Sequence, residues 1–179
     1  MNSSRSTDWT PSLWMNHFDS MLEEEEELDY GDDWTLGFNY NQTDEVTHED
    51  RKIGWKVYNH CAFGNFLCAS CSKSWSSAKV MVLFRYRLRK AAERGRVIMR
   101  PFGQACRSCN ADGFYRPGFS EEEVEDTLQE LFKKIRKNCY GERQDGGPTR
   151  PLHDVKKTKP HETELCEACL QGICCQNED

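Results

Sequence analysis

Residues 78–90 read Ala-Lys-Val-Met-Val-Leu-Phe-Arg-Tyr-Arg-Leu-Arg-Lys. Ala78, Val80, Val82, Phe84, Tyr86 and Leu88 fall on one side of a period of two; Lys79, Met81, Leu83, Arg85, Arg87 and Arg89 fall on the other. Successive side chains of a strand point to opposite faces, so the pattern predicts a long strand with an apolar face over a core and an increasingly basic outer face. A turn near Glu93 to Gly95 leads to a second extended stretch, Arg96 to Phe102, and the two strands form a long hairpin. A two-stranded ribbon is marginal in water, so its ends need holding.

Working outward, each far end of the hairpin meets a Cys-x-x-Cys pair: Cys68/Cys71 ahead of it and Cys106/Cys109 behind it. A third pair, Cys166/Cys169, lies near the C-terminus. Two intervening residues let the backbone turn back so that both thiolates face one cation, the arrangement tetrahedral zinc takes in closed structural sites. Six sulfurs fill one site and half of another. His161 and Cys174, each five residues from the third pair, bring the set to eight ligands and two zinc ions. Spacing leaves open which pairs share a metal; one arrangement joins Cys68/Cys71 to a C-terminal pair and Cys106/Cys109 to the remainder. Cys139 is a spare candidate ligand, and Cys61, outside any pair, reads as a small buried hydrophobe. Redox dithiols and secreted-type disulfides are the competing readings. The first 30 residues lack the apolar run of a signal peptide, which counts against the second.

Residues 1–50 carry fourteen Asp and Glu against one Arg, a net of −13; the rest carries 23 Lys and Arg against 16 acids, a net of +7. The expected organisation is an acidic arm with a short amphipathic helix over 1–50, a zinc-binding domain over 51–175 with a flexible loop at about 141–160, and a tail over 176–179. Thr10-Pro11 opens the N-terminal helix, whose Trp14, Phe18, Met21 and Leu22 share a face. Trp34 to Tyr40 suits a short strand, Asn41 to Asp50 a loop, and residues 53–60 an extended segment. Ser120 with Glu123 forms a capping box ahead of a helix whose apolar stripe is Val124, Leu128, Leu131, Phe132 and Ile135, ended by Gly141. The fold class is α+β: a small zinc-stabilised domain with a long antiparallel hairpin or sheet, zinc knuckles, one packed C-terminal helix and an N-terminal helix. No run of 18 apolar residues is present, so no transmembrane helix is expected.

Phe66-Leu-Cys-Ala-Ser-Cys, Trp75-Ser-Ser-Ala-Lys-Val, Val97-Ile-Met-Arg-Pro-Phe-Gly-Gln-Ala-Cys-Arg-Ser-Cys and Cys166-Glu-Ala-Cys-Leu-Gln-Gly-Ile-Cys resemble the receptor-transporting proteins, which carry a three-CxxC zinc finger. The resemblance runs from about Trp55 to Cys174. It implies that Cys68, Cys71, Cys106, Cys109, Cys166, Cys169, and also His161 and Cys174, are zinc ligands. It further implies a chaperone-like accessory role: binding odorant or taste G-protein-coupled receptors and helping them leave the endoplasmic reticulum for the plasma membrane, at the cytosolic face. Some such proteins are interferon-induced antiviral effectors. The family's hydrophobic tail anchor has no counterpart before Asp179.

Two function classes compete. One is this receptor adaptor. The other is an RNA-binding module, as in zygote-arrest proteins with a related finger. There Lys79, Arg85, Arg87, Arg89, Lys90, Arg94, Arg96 and Arg100 would track phosphates, and Tyr86 or Phe102 would stack on bases. An enzyme is not expected. A closed, cysteine-rich metal set leaves no open position, no small-molecule substrate site is evident, and His17, His48, His60 and His153 are scattered in polar surroundings.

Overall fold

The computed structural model describes residues 7–24, 28, 30–106, 114–141 and 166–167. In chain order these form α1 (Pro11–Glu23), β1 (Asp33–Phe38), α2 (His48–Lys52), β2 (Lys56–Leu67), β3 (Ser74–Arg89), a 3-10 turn (Lys90–Ala92), β4 (Arg94–Pro101) and α3 (Glu121–Tyr140). One four-stranded sheet runs β1-β4-β3-β2. The three long strands pair antiparallel, and β1 joins the edge parallel to β4.

The period of two in β3 divides two cores. Val80, Val82, Phe84 and Tyr86 join Val97 and Met99 of β4 under α1 and α3. α1 contributes Trp14, Phe18 and Met21, and α3 the stripe from Val124 to Ile135. Phe18 meets Phe132 with ring centroids 5.4 Å apart, and Trp14 meets Phe119 edge-on at 5.2 Å. Each such fully buried side chain contributes about 1.5–3 kcal/mol relative to exposure. On the opposite face Met81 and Leu83 form a smaller cluster with Phe102 and Cys166. The outer face is therefore apolar at Met81 and Leu83, and its run of arginines begins at Arg85.

α1 and β1, within the stretch read as an acidic arm, belong to the same core as β3 and α3. Trp34 of β1 packs on Gly95 of β4 so closely that a Cβ there would fall 2.1 Å from the indole. Its Nε1 donates to the Tyr140 hydroxyl at 3.0 Å; that hydroxyl donates to Asp32 at 2.7 Å, and Tyr30 stacks on Tyr140 at 3.7 Å.

Several expectations change. Residues 48–52 are a helical turn rather than loop, held by a capping box in which Thr47 and Asp50 each accept the other's backbone N–H. Ser120 caps α3, but the Glu123 carboxylate turns away from the cap and accepts the Phe63 N–H of β2 at 3.0 Å, tying helix to sheet. Cys61 is exposed, not buried, because it faces away from Ala62 and the core. His60 is buried, its Nδ1 2.8 Å from the Tyr58 hydroxyl. His48 is exposed, and His17 sits between Glu121 and Glu125 at 3.5 and 3.3 Å. The 142–160 loop, His153 and the 176–179 tail lie outside the described residues.

Candidate metal centre

Antiparallel pairing puts the start of β3 and the end of β4 at the same end of the hairpin. The first knuckle is the loop joining β2 to β3, closed by Leu67 opposite Ser74. Within it the Cys68 N–H donates to the Lys73 carbonyl at 2.9 Å and the Ser72 N–H to the Cys68 carbonyl at 2.8 Å. Ser72 takes a left-handed φ of 62° to make that reversal. The second knuckle leaves β4 through Phe102, whose N–H donates to the Met81 carbonyl, and Gln104, which bridges to Tyr115 and to Cys166.

These two routes converge. The sulfurs of Cys68, Cys71 and Cys106 all lie within 4.8 Å of one another, with Cys71 and Cys106 at 3.7 Å. Four thiolates about 2.3 Å from a tetrahedral zinc stand about 3.8 Å apart, so the three sulfurs fit the edges of such a site. Cys68 and Cys106 are buried and Cys71 is exposed. Strand pairing thus brings Cys106 of the second pair to both cysteines of the first, against the arrangement that kept those two pairs in separate sites. Cys109, Cys169, His161 and Cys174 lie outside the described residues.

Residues that spacing did not single out surround the sulfurs. The Cys68 thiol donates to the Tyr115 hydroxyl at 3.5 Å; once Cys68 is a thiolate the hydroxyl becomes the donor. Trp75 stacks on Phe66 at 5.2 Å and donates its Nε1 to Gln104 at 3.1 Å, linking the knuckles. Cys166 is buried at 3% exposure beside Phe102. Its neighbour Glu167 accepts from the Gly103 N–H at 2.9 Å and from Arg100 at 3.0 Å. Arg100, counted by sequence among the surface cations, is instead buried in that ion pair with its guanidinium 4.1 Å over Phe102. The signal for Glu167 was its place inside the third CxxC pair; nothing local marks Tyr115.

Two other cysteines stay apart. Cys139 packs at the end of α3 against the core, outside the three converging sulfurs, where burial pushes its thiol up to about 11. Cys61 is exposed on β2, its sulfur 3.5 Å from the Ala78 carbonyl. Tyr86 and Phe102, offered as stacking platforms for bases, are buried, and Arg85 is ion-paired with Asp50 at 3.1 Å.

A family model for a three-CxxC zinc ribbon, described as a zinc-binding domain, matches residues 61–172. Receptor-transporting protein 4 of Homo sapiens is 37% identical over 145 residues, covering 80% of this chain and 57% of its own length. Receptor-transporting protein 3 of Mus musculus is 35% identical over 81% of this chain and 30% of its own length. Receptor-transporting protein 1 of Mus musculus is 35% identical over 84% and 56%. The chain thus spans roughly half, or less, of these relatives' lengths. No solved structure gives a significant match. With that match covering more than half of its residues, and with Cys68, Cys71 and Cys106 drawn together at one end of the hairpin, the chain belongs to the three-CxxC zinc-binding family of the receptor-transporting proteins.

Proposed function

We propose that this chain is a non-enzymatic, zinc-stapled accessory protein that binds chemosensory G-protein-coupled receptors, of the odorant or taste kind, and promotes their delivery to the plasma membrane from the cytosolic face of the endoplasmic reticulum. The observation that carries the zinc part is the triad of sulfurs from Cys68, Cys71 and Cys106 within 4.8 Å. The names of the relatives, receptor-transporting proteins, support the receptor part. Two zinc ions are assigned: one to Cys68, Cys71, Cys106 and Cys109, the other to Cys166, Cys169, His161 and Cys174. Bound in closed sets, zinc supplies folding free energy and offers no open position for chemistry. Among the described residues no helix is long and apolar enough to cross a membrane, so contact with a receptor is read as peripheral for this stretch of chain.

The chain's own residues then do the holding. Glu167 and Arg100 seat the stretch at Cys166 on the end of β4, and Trp75 with Gln104 locks the first knuckle to the second. Native mass spectrometry counts the zinc ions, with two expected. Co-expression with an odorant receptor tests the function: the expected result is receptor co-precipitation and raised surface labelling. Surface labelling unchanged by the chain, in cells where it is folded and zinc-loaded, overturns the receptor reading. The RNA alternative through Arg85, Arg87 and Arg89 has weaker support, since the aromatics it needs are buried.

A further inference from the structure

The end of the sheet remote from the cysteines carries an arrangement that strand pairing makes unfavourable. Arg87 lies directly opposite Arg96, and Arg89 directly opposite Arg94. Like charges directly across a pair of strands repel. Among the described residues none of the four is in an ion pair, and the buried Nε of Arg87 has no hydrogen-bond partner. Arg96 reaches only the Thr35 hydroxyl at 3.4 Å. All four line a cavity of about 420 Å3 floored by Trp55 and Ile98, with Asp33 as its acid. The guanidinium groups of Arg85 and Arg87 lie over the Trp55 ring at 5.5 and 5.6 Å, which takes up the indole that a base would otherwise stack on. Beside this cavity Ile53, 54% exposed, meets Arg87, Leu88, Arg89, Lys90, Ala91 and Ala92 in an adjoining hollow. Lys90, Ala91 and Ala92 are exposed at the hairpin turn.

We propose that this arginine-lined end docks on an anionic phospholipid surface, with a phosphate headgroup between the opposed arginines and Ile53, Ala91 and Ala92 entering the headgroup layer. Charge complementarity identifies an anion: two repelling arginine pairs are relieved by one phosphate placed between them. The exposed aliphatic rim selects a bilayer over a nucleic acid. An aliphatic group at the edge of a basic patch gains by entering the interface, where basic and apolar contributions combine, and it gains nothing from a phosphodiester strand. The inference rests on this patch alone and does not need the receptor reading, because vesicles contain no receptor.

The test is co-sedimentation of the zinc-loaded chain with vesicles of phosphatidylcholine and phosphatidylserine in equal parts, against phosphatidylcholine alone. Partition is expected only with phosphatidylserine and falls as salt rises. Arg89→Ala and Arg94→Ala are each expected to weaken it about fivefold. Both positions are exposed, and unchanged zinc content and melting temperature serve as the check on folding. Ile53→Ser, which leaves the charge intact, is expected to weaken it as well. Absence of phosphatidylserine-dependent partition overturns the proposal. So does partition that survives all three substitutions. Partition insensitive to Ile53→Ser and fully competed by a single-stranded oligoribonucleotide also overturns it, assigning the patch to nucleic acid.

Discussion

The two ends of the β3–β4 hairpin are opposites in what they lack. At one end three sulfurs converge within 4.8 Å, a geometry that is favourable only around a cation. At the other, four arginines face each other in register, a geometry that an added anion relieves. Between them, under α1 and α3, lies a conventional core that needs no ligand. The difference teaches that the ends are not equally expensive. Zinc at a structural site supplies folding free energy on the order of 10 kcal/mol or more. The arginine pairs each oppose folding by less than about 1 kcal/mol. One end therefore governs whether the domain is folded, and the other can be altered while the domain stays intact.

That contrast can be broken at four places, in falling order of effect. Cys106→Ser removes a buried sulfur from the convergence; the chain should bind one fewer zinc and lose its cooperative thermal transition, read by native mass spectrometry and calorimetry. Gly95→Ala forces a Cβ into the Trp34 indole and should cost about 3 kcal/mol by denaturant titration, with zinc content unchanged. Tyr115→Phe deletes the hydroxyl beside the Cys68 sulfur; zinc affinity, measured by competition with a chromogenic chelator, should fall about 10-fold or more while the fold is kept. Arg89→Glu places opposite charges across from Arg94 and should raise stability by about 0.5 kcal/mol at low salt, a gain that shrinks as salt is added. A loss of stability in that last variant would show that the opposed arginines do not repel in the folded protein.

The sequence was most legible where periodicity and spacing act locally. The alternation from Val80 to Leu88, the α1 face of Trp14, Phe18 and Met21, and the α3 stripe all appear in their predicted roles, while a register shift between Ser77 and Val80 takes Ala78 out of the core face. Capping was half legible: Ser120 caps as its position suggests, yet the Glu123 carboxylate is taken by Phe63, a partner 60 residues away that no local rule supplies. The meeting of Cys68, Cys71 and Cys106 was implied by antiparallel pairing once the hairpin was granted, but CxxC spacing by itself is silent on which pairs meet. Arg100 was misjudged because a cation in an alternating strand reads as solvated. Its burial depends on Glu167, 67 residues later. β1 was legible as a strand and illegible as a parallel neighbour of β4, since parallel partners are set by the path of the chain between them rather than by either segment.

The parallel seating of β1, and the Trp34–Tyr140 contact that spans 106 residues, also set a timetable for biosynthesis. Translation proceeds at about 5–20 residues per second, so the aromatic side of α1 and the Trp34 indole wait about 5–20 s for α3 to leave the ribosome. During that interval the nascent chain displays Trp14, Phe18 and Trp34 without the cover that α3 gives them in the folded core. The chain thus begins its own life as a client for whatever binds newly made apolar segments.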